Sequence, residues 1–412
     1  MKEEDFESRL YSTMYPREDA YNALQMPVYF NSAFEFDSAE EMETAFAGQS
    51  TDHTYSRISN PTVQYFENRV KNITDGLSVT ALNSGMAAIS NTFISIGYAG
   101  ANIVTSRHLF GNTYSVLDST LKSFGMEPRF CDLNNAEEVK NNIDENTCAV
   151  FLEIITNPQL EVADLTLLSN LAKDAGIPLI ADTTIVPFCV FDAKDFGIDI
   201  EVVSSTKYIS GGATSLGGLI IDHGTYDWSK SKKLKSLANT VGRLAFTHKM
   251  KKEVHRNLGA YMTPLAAHQQ TIGLETLSLR FKQAAASCLE LAGNLEKITE
   301  IESVNYPGLK SNPYYALSKR QFGASPGAML TFDLASKEAC FAFLNKLQFI
   351  RRATNLFDNK TLAIHPESTI YVNFSQEDKA KMNISPKTIR LSVGLERIED
   401  ILQDIETSLK PD

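Results

Sequence analysis

Short apolar runs alternate with helical stretches between residues 60 and 221. The runs of strand character are Leu77–Leu82, Asn102–Thr105, Glu127–Cys131, Cys148–Ile155, Pro178–Ala181 and Glu201–Ser204, and helical patterns at 113–123, 137–142 and 165–175 lie between them. This alternation predicts a mostly parallel sheet with helices on both faces. Because ligands of such sheets bind beyond the carboxyl ends of the strands, we expect the functional residues to follow those strands.

The rest of the chain predicts two further parts. Residues 1–60 mix aromatic, proline and polar residues without sustained periodicity, apart from a helical pattern at 38–46, and are expected to pack as an arm on a partner subunit. A chain of 412 residues is too long for one core. We therefore predict a large domain at 61–260 and a smaller α+β domain at 261–412 that ends in a helix from Ile398.

Charge and cysteine content exclude several classes of partner. The net charge of -11 argues against binding to nucleic acid or to an anionic membrane surface. No apolar run reaches the roughly 20 residues of a membrane helix. The five cysteines are scattered without CxxC spacing, which indicates a reducing cytoplasm and neither a metal site nor a disulfide framework.

One lysine follows the last of the predicted parallel strands. The segment reads Ser204-Ser205-Thr206-Lys207-Tyr208 and leaves through a Ser-Gly-Gly turn. At the end of a buried strand the lysine charge is poorly solvated, so its pKa should fall and favour a nucleophilic amine that can form a Schiff base with a carbonyl cofactor. The neighbouring hydroxyl groups could hold a phosphate. From this segment alone, a surface lysine is the simpler interpretation.

Four other positions carry weaker signals. A Ser-Gly-Met sequence from Ser84 joins a strand to a helix and would present free amide groups to an anion, although Ser84 could simply cap the helix. Asp182 ends an apolar strand, where its carboxylate would be poorly hydrated unless it has a cationic or hydrogen-bonding partner. It could equally be a helix-cap or turn residue. Arg390 alternates with apolar residues, so on a strand it would share a face with Thr388 and Ser392. The simpler interpretation is a salt-bridged arginine on an edge strand. Tyr55 and Arg57 lie two apart, on one side of an extended segment, where both could reach one anion.

In their order and spacing these motifs resemble the cysteine/methionine-metabolism family of pyridoxal-phosphate (PLP) enzymes of fold type I. The resemblance runs over roughly residues 29–394, and the segment from Ser204 to Tyr208 is its most specific element. It implies a mostly parallel mixed sheet with helices on both faces, a smaller α+β C-terminal domain, and pyridoxal 5'-phosphate as cofactor.

The resemblance also implies a role for each matching residue. Lys207 would form the Schiff base and move protons, Asp182 would pair with the pyridine nitrogen, and Phe110 would stack on the ring. The expected cofactor-binding set is completed by Ser84, Gly85, Met86, Asn157, Thr184, Ser204 and Thr206, with Tyr55 and Arg57 supplied by the neighbouring subunit. The expected substrate-binding residues are Arg390, Asn355 and Asn157. Shared sites imply a homodimer, or a homotetramer of two dimers.

Two segments, 153–164 and 355–366, look most like those of O-acetylhomoserine sulfhydrylases. The predicted function is therefore γ-replacement in methionine biosynthesis, by which O-acetylhomoserine and sulfide, or another thiol, give homocysteine and acetate. A methionine γ-lyase or a cystathionine β- or γ-lyase of the same family is an alternative, although methionine γ-lyases typically carry a cysteine where this chain has Asn112. A non-catalytic PLP-binding protein is the alternative from another class.

Phe110 departs from the family pattern. It occupies the position of a tyrosine that stacks on the cofactor and supplies a hydroxyl for proton transfer, and sulfhydrylases generally keep that tyrosine too. Phenylalanine preserves stacking but not the acid. A thiolate leaving group benefits from protonation, whereas acetate can leave unaided, so Phe110 favours an acyl-homoserine ester over a thioether as substrate. Tyr114, four residues further on, lies one helical turn away and is a second possible source of a hydroxyl.

Overall fold

The computed structural model describes residues 6–12 and 21–410. Most of the predicted arm and nearly all of both predicted domains lie within these ranges, whereas residues 1–5 and 13–20 of the arm and residues 411–412 of the smaller domain lie outside them. The strands form one sheet of seven and one of five.

The larger sheet has the strand order β1-β7-β6-β5-β4-β2-β3. Its strands are β1 Ser78–Leu82, β2 Asn102–Thr105, β3 Glu127–Phe130, β4 Thr147–Glu153, β5 Leu179–Asp182, β6 Ile200–Val203 and β7 Gly218–Asp222. The neighbours from β3 to β6 are parallel, and β7 runs antiparallel to both β1 and β6. The prediction of a mostly parallel mixed sheet is confirmed, and β7 is the one strand of this sheet that the pattern did not predict.

Helices cover both faces of this sheet. The helices are α1 Phe6–Ser12, α2 Ala39–Phe46, α3 Pro61–Thr74, α4 Gly85–Ile96, α5 Gly111–Ser115, α6 Ala136–Asn142, α7 Leu165–Ala175, α8 Lys235–Val241, α9 Ala245–Lys249, α10 Arg256–Leu258, α11 Pro264–Glu275, α12 Leu277–Leu295, α13 Tyr315–Phe322, α14 Lys337–Lys346, α15 Gln376–Lys381 and α16 Ile398–Leu409. Alternate residues of β4 enter two separate apolar clusters: Val150 and Leu152 pack in one, and Ala149 and Phe151 in the other. A strand buried on both faces reads as a continuous apolar run.

The smaller sheet has the order β10-β11-β12-β9-β8. Its strands are β8 Ser303–Asn305, β9 Met329–Asp333, β10 Arg351–Arg352, β11 Leu362–Ile364 and β12 Thr388–Ser392. Arg390 is therefore on an interior strand, between β11 and β9, and is 2% exposed, so the edge-strand interpretation is wrong. The exact domain boundaries at 60 and 260 stay a prediction.

Two predicted helices differ from the structure. The segment at 113–123 is a short α-helix followed by a π-helix at Val116–Leu121 and a 3₁₀ turn at Lys122–Phe124. The long helical region predicted from about 249 to 298 is interrupted after α10, where Gly259 adopts φ +70°, and again at Thr276, between α11 and α12. A left-handed glycine followed by a proline-initiated helix is a common stop and restart signal.

The described part of the chain holds no helix that is long and apolar enough to cross a membrane. The five cysteines, at positions 131, 148, 189, 288 and 340, all lie within it and are unpaired.

Candidate active site

The carboxyl ends of β4, β5 and β6 open into a cavity of about 570 Å³ that the smaller domain closes from the other side. This volume is within the range of small-molecule sites. Its lining includes the predicted residues Ser84, Gly85, Met86, Phe110, Asn157, Asp182, Thr184, Ser204, Thr206, Lys207 and Arg390. All the predicted site residues therefore line this cavity except three, which are Asn355, Tyr55 and Arg57.

Asn355 lies directly behind the lysine. Lys207 Nζ donates a hydrogen bond to Asn355 Oδ1 at 3.0 Å, and the Asn355 amide donates in turn to Asp358 Oδ2 at 3.2 Å. The Asp358 carboxylate therefore requires the amide oxygen to face the lysine. Burial, and secondly the charge of Arg390, lowers the pKa of Lys207 to about 8, against the opposing attraction of Asp182. A substantial fraction of the amine is thus neutral and nucleophilic near pH 8.

Two carboxyl groups end the neighbouring strands β4 and β5: Glu153 is buried, and Asp182 is partly buried where it lines the cavity. Asp182 Oδ1 accepts a hydrogen bond from the Thr184 amide at 2.9 Å, and no lysine or arginine of the described chain forms an ion pair with Asp182. Burial raises the pKa of Asp182, and burial followed by the charge of Asp182 raises the pKa of Glu153 well above its usual value. A poorly solvated carboxylate that faces a cavity without an ion-pair partner suits a ligand that brings its own positive charge.

The start of α4 forms an anion cradle. Ser84 caps the helix by accepting from the Ala87 amide at 3.1 Å, which leaves the amide groups of Gly85 and Met86 without intrahelical acceptors. A β-carbon at Gly85 would lie 2.7 Å from the β-carbon of Ser204, so glycine permits the close approach. The Thr206 hydroxyl, beside them, pairs with the backbone of Gly217. Free amides, hydroxyls and a helix dipole together fit a phosphate.

Phe110 covers the cavity from the start of α5. Its amide donates to Glu153 Oε1 at 2.6 Å, which ties the turn to the end of β4. Tyr114 does not replace the missing hydroxyl, because its ring stacks on Phe130 with centroids 4.8 Å apart and lies outside the cavity lining.

Arg390 and Asn157 form another wall of the cavity. The guanidinium donates to Asn157 Oδ1 at 3.0 Å, while its Nε has no hydrogen-bond partner within ranges 6–12 and 21–410. Burial lowers the pKa of Arg390 to about 9. A buried guanidinium with a free donor is ready to bind a carboxylate.

Tyr55 and Arg57 lie outside the cavity of their own chain. The predicted extended conformation is wrong, because residues 56–58 form a turn. The Arg57 guanidinium lies 5.5 Å over the Tyr55 ring. Arg57 donates to the carbonyl of Arg256 and lines a smaller pocket together with Glu67 and Lys251.

Sequence reasoning missed three residues that contact the site: Glu153, Asp358 and Tyr371. Glu153 gave a usable signal, because it closes an apolar strand in the same way as Asp182. Asp358 and Tyr371 reach the site from the smaller domain, and no periodicity in the sequence indicates that their loops fold over the large sheet.

These groups fit PLP. The cradle at α4 matches the phosphate, the carboxylate of Asp182 matches a protonated pyridine nitrogen, the amine of Lys207 matches the aldehyde, and the ring of Phe110 offers an apolar face.

Comparison with known proteins agrees with this fit. The family described as "Cys/Met metabolism PLP-dependent enzyme" matches residues 11–410. The chain is 32% identical to O-acetyl-L-homoserine sulfhydrylase of Corynebacterium glutamicum over 402 residues, which covers 93% of this chain and 92% of that one. It is 34% identical to L-methionine gamma-lyase of Fusobacterium nucleatum subsp. nucleatum over 392 residues, covering 95% and 94%.

Two solved structures are similar over most of the chain. One, provisionally described as an O-acetylhomoserine (thiol)-lyase of Campylobacter jejuni and holding a pyridoxyl-lysine phosphate, has a TM-score of 0.91 and 31% identity, covering 98% of this chain and 100% of that one. O-acetylhomoserine sulfhydrylase of Wolinella succinogenes has a TM-score of 0.78 and 46% identity, covering 86% and 99%. The predicted fold type and cofactor are thereby confirmed. The chain belongs to the family of PLP-dependent enzymes of cysteine and methionine metabolism.

Proposed function

We propose that this enzyme catalyses γ-replacement, in which O-acetylhomoserine and sulfide give homocysteine and acetate. The observation that carries the proposal is the position of Phe110, whose ring lines the cavity and has no hydroxyl to protonate a leaving group. Acetate leaves without such help, whereas a thiolate does not leave readily. The similarity to two sulfhydrylases, one at 46% identity, supports this choice.

PLP supplies an aldehyde that binds an amine and a ring that withdraws electrons from the substrate carbons. Arg390 and Asn157 bind the α-carboxylate of the substrate and so fix Cα within reach of Lys207. The Lys207 amine accepts the Cα proton, releases it, and can then accept a Cβ proton; acetate leaves from Cγ, sulfide adds at the same carbon, and Lys207 returns protons to Cβ and Cα. Asn355 holds the Lys207 amine by its hydrogen bond at 3.0 Å. Asp182 would pair with the protonated pyridine nitrogen of the cofactor.

A product assay tests the proposal directly. The PLP-loaded enzyme is given O-acetylhomoserine, O-succinylhomoserine, cystathionine or methionine, with and without sulfide, and homocysteine, 2-oxobutyrate and pyruvate are measured. We expect homocysteine from O-acetylhomoserine, dependent on sulfide. Faster release of 2-oxo acid from methionine or cystathionine would contradict the proposal and identify a lyase. A yellow protein that leaves every substrate unchanged would identify a non-catalytic PLP-binding protein.

We further propose that two copies of the chain share their active sites. Tyr55 and Arg57 lie outside their own cavity, and the arm around them exposes large apolar side chains that a partner would cover: Tyr21, Leu24, Phe30 and Phe46 are 91%, 99%, 78% and 55% exposed. Arg57 would then bind the phosphate held by the partner. Assembly into a homotetramer and a cytoplasmic location stay predictions.

Subunit mixing tests shared sites. Arg57→Ala and Lys207→Ala should each be nearly inactive alone, because each removes one component of every site. Mixed dimers of the two variants contain one intact site, so refolding an equimolar mixture should restore roughly a quarter of the wild-type activity. Absence of recovery, with dimers shown by light scattering, would contradict sharing. Lys252→Ala, which alters a lysine outside both pockets, serves as the control partner.

A further inference from the structure

Two walls of the active site meet at the hydroxyl group of one tyrosine. Tyr371 Oη lies 3.0 Å from the carbonyl oxygen of Leu109 and 3.0 Å from that of Asn157, and its side chain is fully buried. Tyr371 is on the loop at 366–375 of the smaller domain, between β11 and α15. The hydroxyl has one proton to donate, and two carbonyl oxygens compete for it.

Each of these carbonyl groups belongs to a segment that shapes the site. Leu109 precedes Phe110, whose amide is held by Glu153. Asn157 holds the guanidinium of Arg390 through its side chain. One hydroxyl therefore connects the residue that covers the cofactor position with the pair that binds the carboxylate.

The same loop packs tightly on the start of α5. A β-carbon at Gly111 would lie 2.9 Å from the carbonyl oxygen of Ile370 and 3.4 Å from the ring of Phe374, so even a methyl group would displace the loop. Ile370 and Thr369 line the cavity. The Phe110 turn and this loop are thus in direct contact over several residues and should shift together.

Burial raises the pKa of Tyr371 far above its usual value, so the hydroxyl stays protonated as a donor. Its ring packs against Phe374, with centroids 5.4 Å apart, and with Met382 and Ile384 in a small apolar cluster. This packing holds the ring independently of the hydrogen bonds, so that loss of the hydroxyl alone should leave the ring in place.

We propose that Tyr371 is a positioning residue, which fixes Phe110 and Asn157 against the loop of the smaller domain and so sets the affinity of the site for the amino-acid carboxylate. The inference rests on the proposed function only in the identity of the substrate, because any amino acid with an α-carboxylate would use the same contacts. Tyr371 acts through its two carbonyl partners and does not line the cavity itself.

The test compares Tyr371→Phe with Tyr226→Phe. Tyr226 is also buried and donates to a backbone carbonyl, that of Gly176, at 2.8 Å, but it lies outside the cavity. Both variants should lose similar thermal stability. Binding of L-2-aminobutyrate, which has the α-carboxylate and no leaving group, is followed by the absorbance of the PLP-loaded enzyme, and hydrogen exchange is measured on peptides covering 109–113 and 366–375.

We expect Tyr371→Phe to weaken aminobutyrate binding about tenfold, because a buried carbonyl loses its donor, and to speed exchange in both peptides. The KM for O-acetylhomoserine should rise by a similar factor while kcat changes less than about twofold. Tyr226→Phe should change none of these. A Tyr371→Phe enzyme that matches Tyr226→Phe in binding and exchange would overturn the proposal.

Gly111→Ala provides a second variant that keeps the hydroxyl. The added methyl should push the loop away through Ile370 and produce the same rise in exchange and weakening of binding. Unchanged exchange and binding in this variant would equally overturn the proposal. A wild-type enzyme that fails to convert O-acetylhomoserine would refute the proposed function, yet the aminobutyrate and exchange measurements would still decide the role of Tyr371.

Discussion

Glu153 and Asp182 are register partners across the parallel strands β4 and β5, and both side chains line the cavity. Their partners differ. Asp182 is held by Thr184 and attracted by Lys207, whereas Glu153 accepts the amide of Phe110. Two carboxylate charges on paired residues of neighbouring strands would repel each other. We therefore infer that Glu153 keeps its proton and that Asp182 carries the charge.

Glu153→Gln should therefore be tolerated. The neutral amide oxygen still accepts from Phe110, and the neutral state of the side chain is unchanged, so kcat/KM should stay within about threefold of wild type. Glu153→Ala leaves the buried Phe110 amide without an acceptor, which costs about 1–3 kcal/mol and should lower kcat/KM by at least about tenfold. Steady-state kinetics of the two variants decide the matter. If Glu153→Gln were as damaged as Glu153→Ala, an ionised Glu153 would be required instead.

The depressed pKa of Lys207, about 8, predicts a pH dependence of the apoenzyme. In the unfolded chain this lysine keeps its proton up to about pH 10.4, so between pH 8 and 10.4 the unfolded state binds more protons and stability rises with pH. Lys207→Met removes this poorly solvated cation. The variant should melt above the wild-type apoenzyme at pH 7, and the difference should shrink as the pH rises toward 10.

Thermal denaturation of both apoproteins at four pH values measures this. Lys194→Met, at an exposed ion pair with Asp75, is the control and should show no such convergence. A constant difference between Lys207→Met and wild type from pH 7 to 10 would contradict the depressed pKa. The same ionisation predicts that the PLP absorbance band forms faster as the pH rises through about 8.

Phe110→Tyr should shift the reaction preference toward elimination from thioethers. The new hydroxyl would project from the ring that lines the cavity and could protonate a thiolate. We therefore expect the ratio of cystathionine to O-acetylhomoserine turnover to rise at least about tenfold, which is less than the roughly 100- to 10,000-fold that a well-positioned general acid contributes. Phe130→Tyr makes the same change outside the cavity lining and should leave the ratio unaltered. An unchanged ratio in Phe110→Tyr would show that the missing hydroxyl does not select the substrate.

The parts of the fold that the sequence predicts well are those governed by local pattern. Asn102–Thr105 and Leu165–Ala175 have the predicted bounds because apolar period and capping residues determine them locally. The helix at 113–123 was only partly predicted, since the pattern cannot distinguish an α-helix from the π-helix that begins at Val116.

The residues of the candidate site also divide into those that a local pattern predicts and those that it does not. Lys207 and Asp182 follow apolar strands, and the carboxyl ends of parallel strands meet, so their proximity is predictable. Tyr371 approaches Leu109 across 262 residues of chain, and no local pattern encodes such a contact. Asn355 is predicted as a site residue only through the family resemblance. The turn that carries it holds Phe357 in a left-handed backbone conformation, which phenylalanine rarely adopts and which its identity therefore does not predict.

Phe357 is the clearest case, because its backbone adopts φ +54°. A bulky residue is rarely found in the left-handed region, and the conformation costs about 1–2 kcal/mol. The surrounding contacts offset this cost: the ring is 2% exposed and stacks on Tyr208, next to Lys207, with centroids 4.1 Å apart and planes at 11°. The Phe357 amide also donates to the Ser392 hydroxyl at 2.6 Å.

Replacing Phe357 should therefore reverse the usual order of alanine and glycine. Both variants lose the stacked ring, at about 3–5 kcal/mol, but only glycine relieves the backbone. Phe357→Gly should then be about 1 kcal/mol more stable than Phe357→Ala, as measured by urea denaturation of the apoprotein. Phe332→Gly and Phe332→Ala, at a buried residue within β9 and without positive φ, should show the ordinary order, with alanine the more stable. The same order at both positions would mean that the turn relaxes without the ring, and that stacking on Tyr208 does not impose the left-handed conformation beside Lys207.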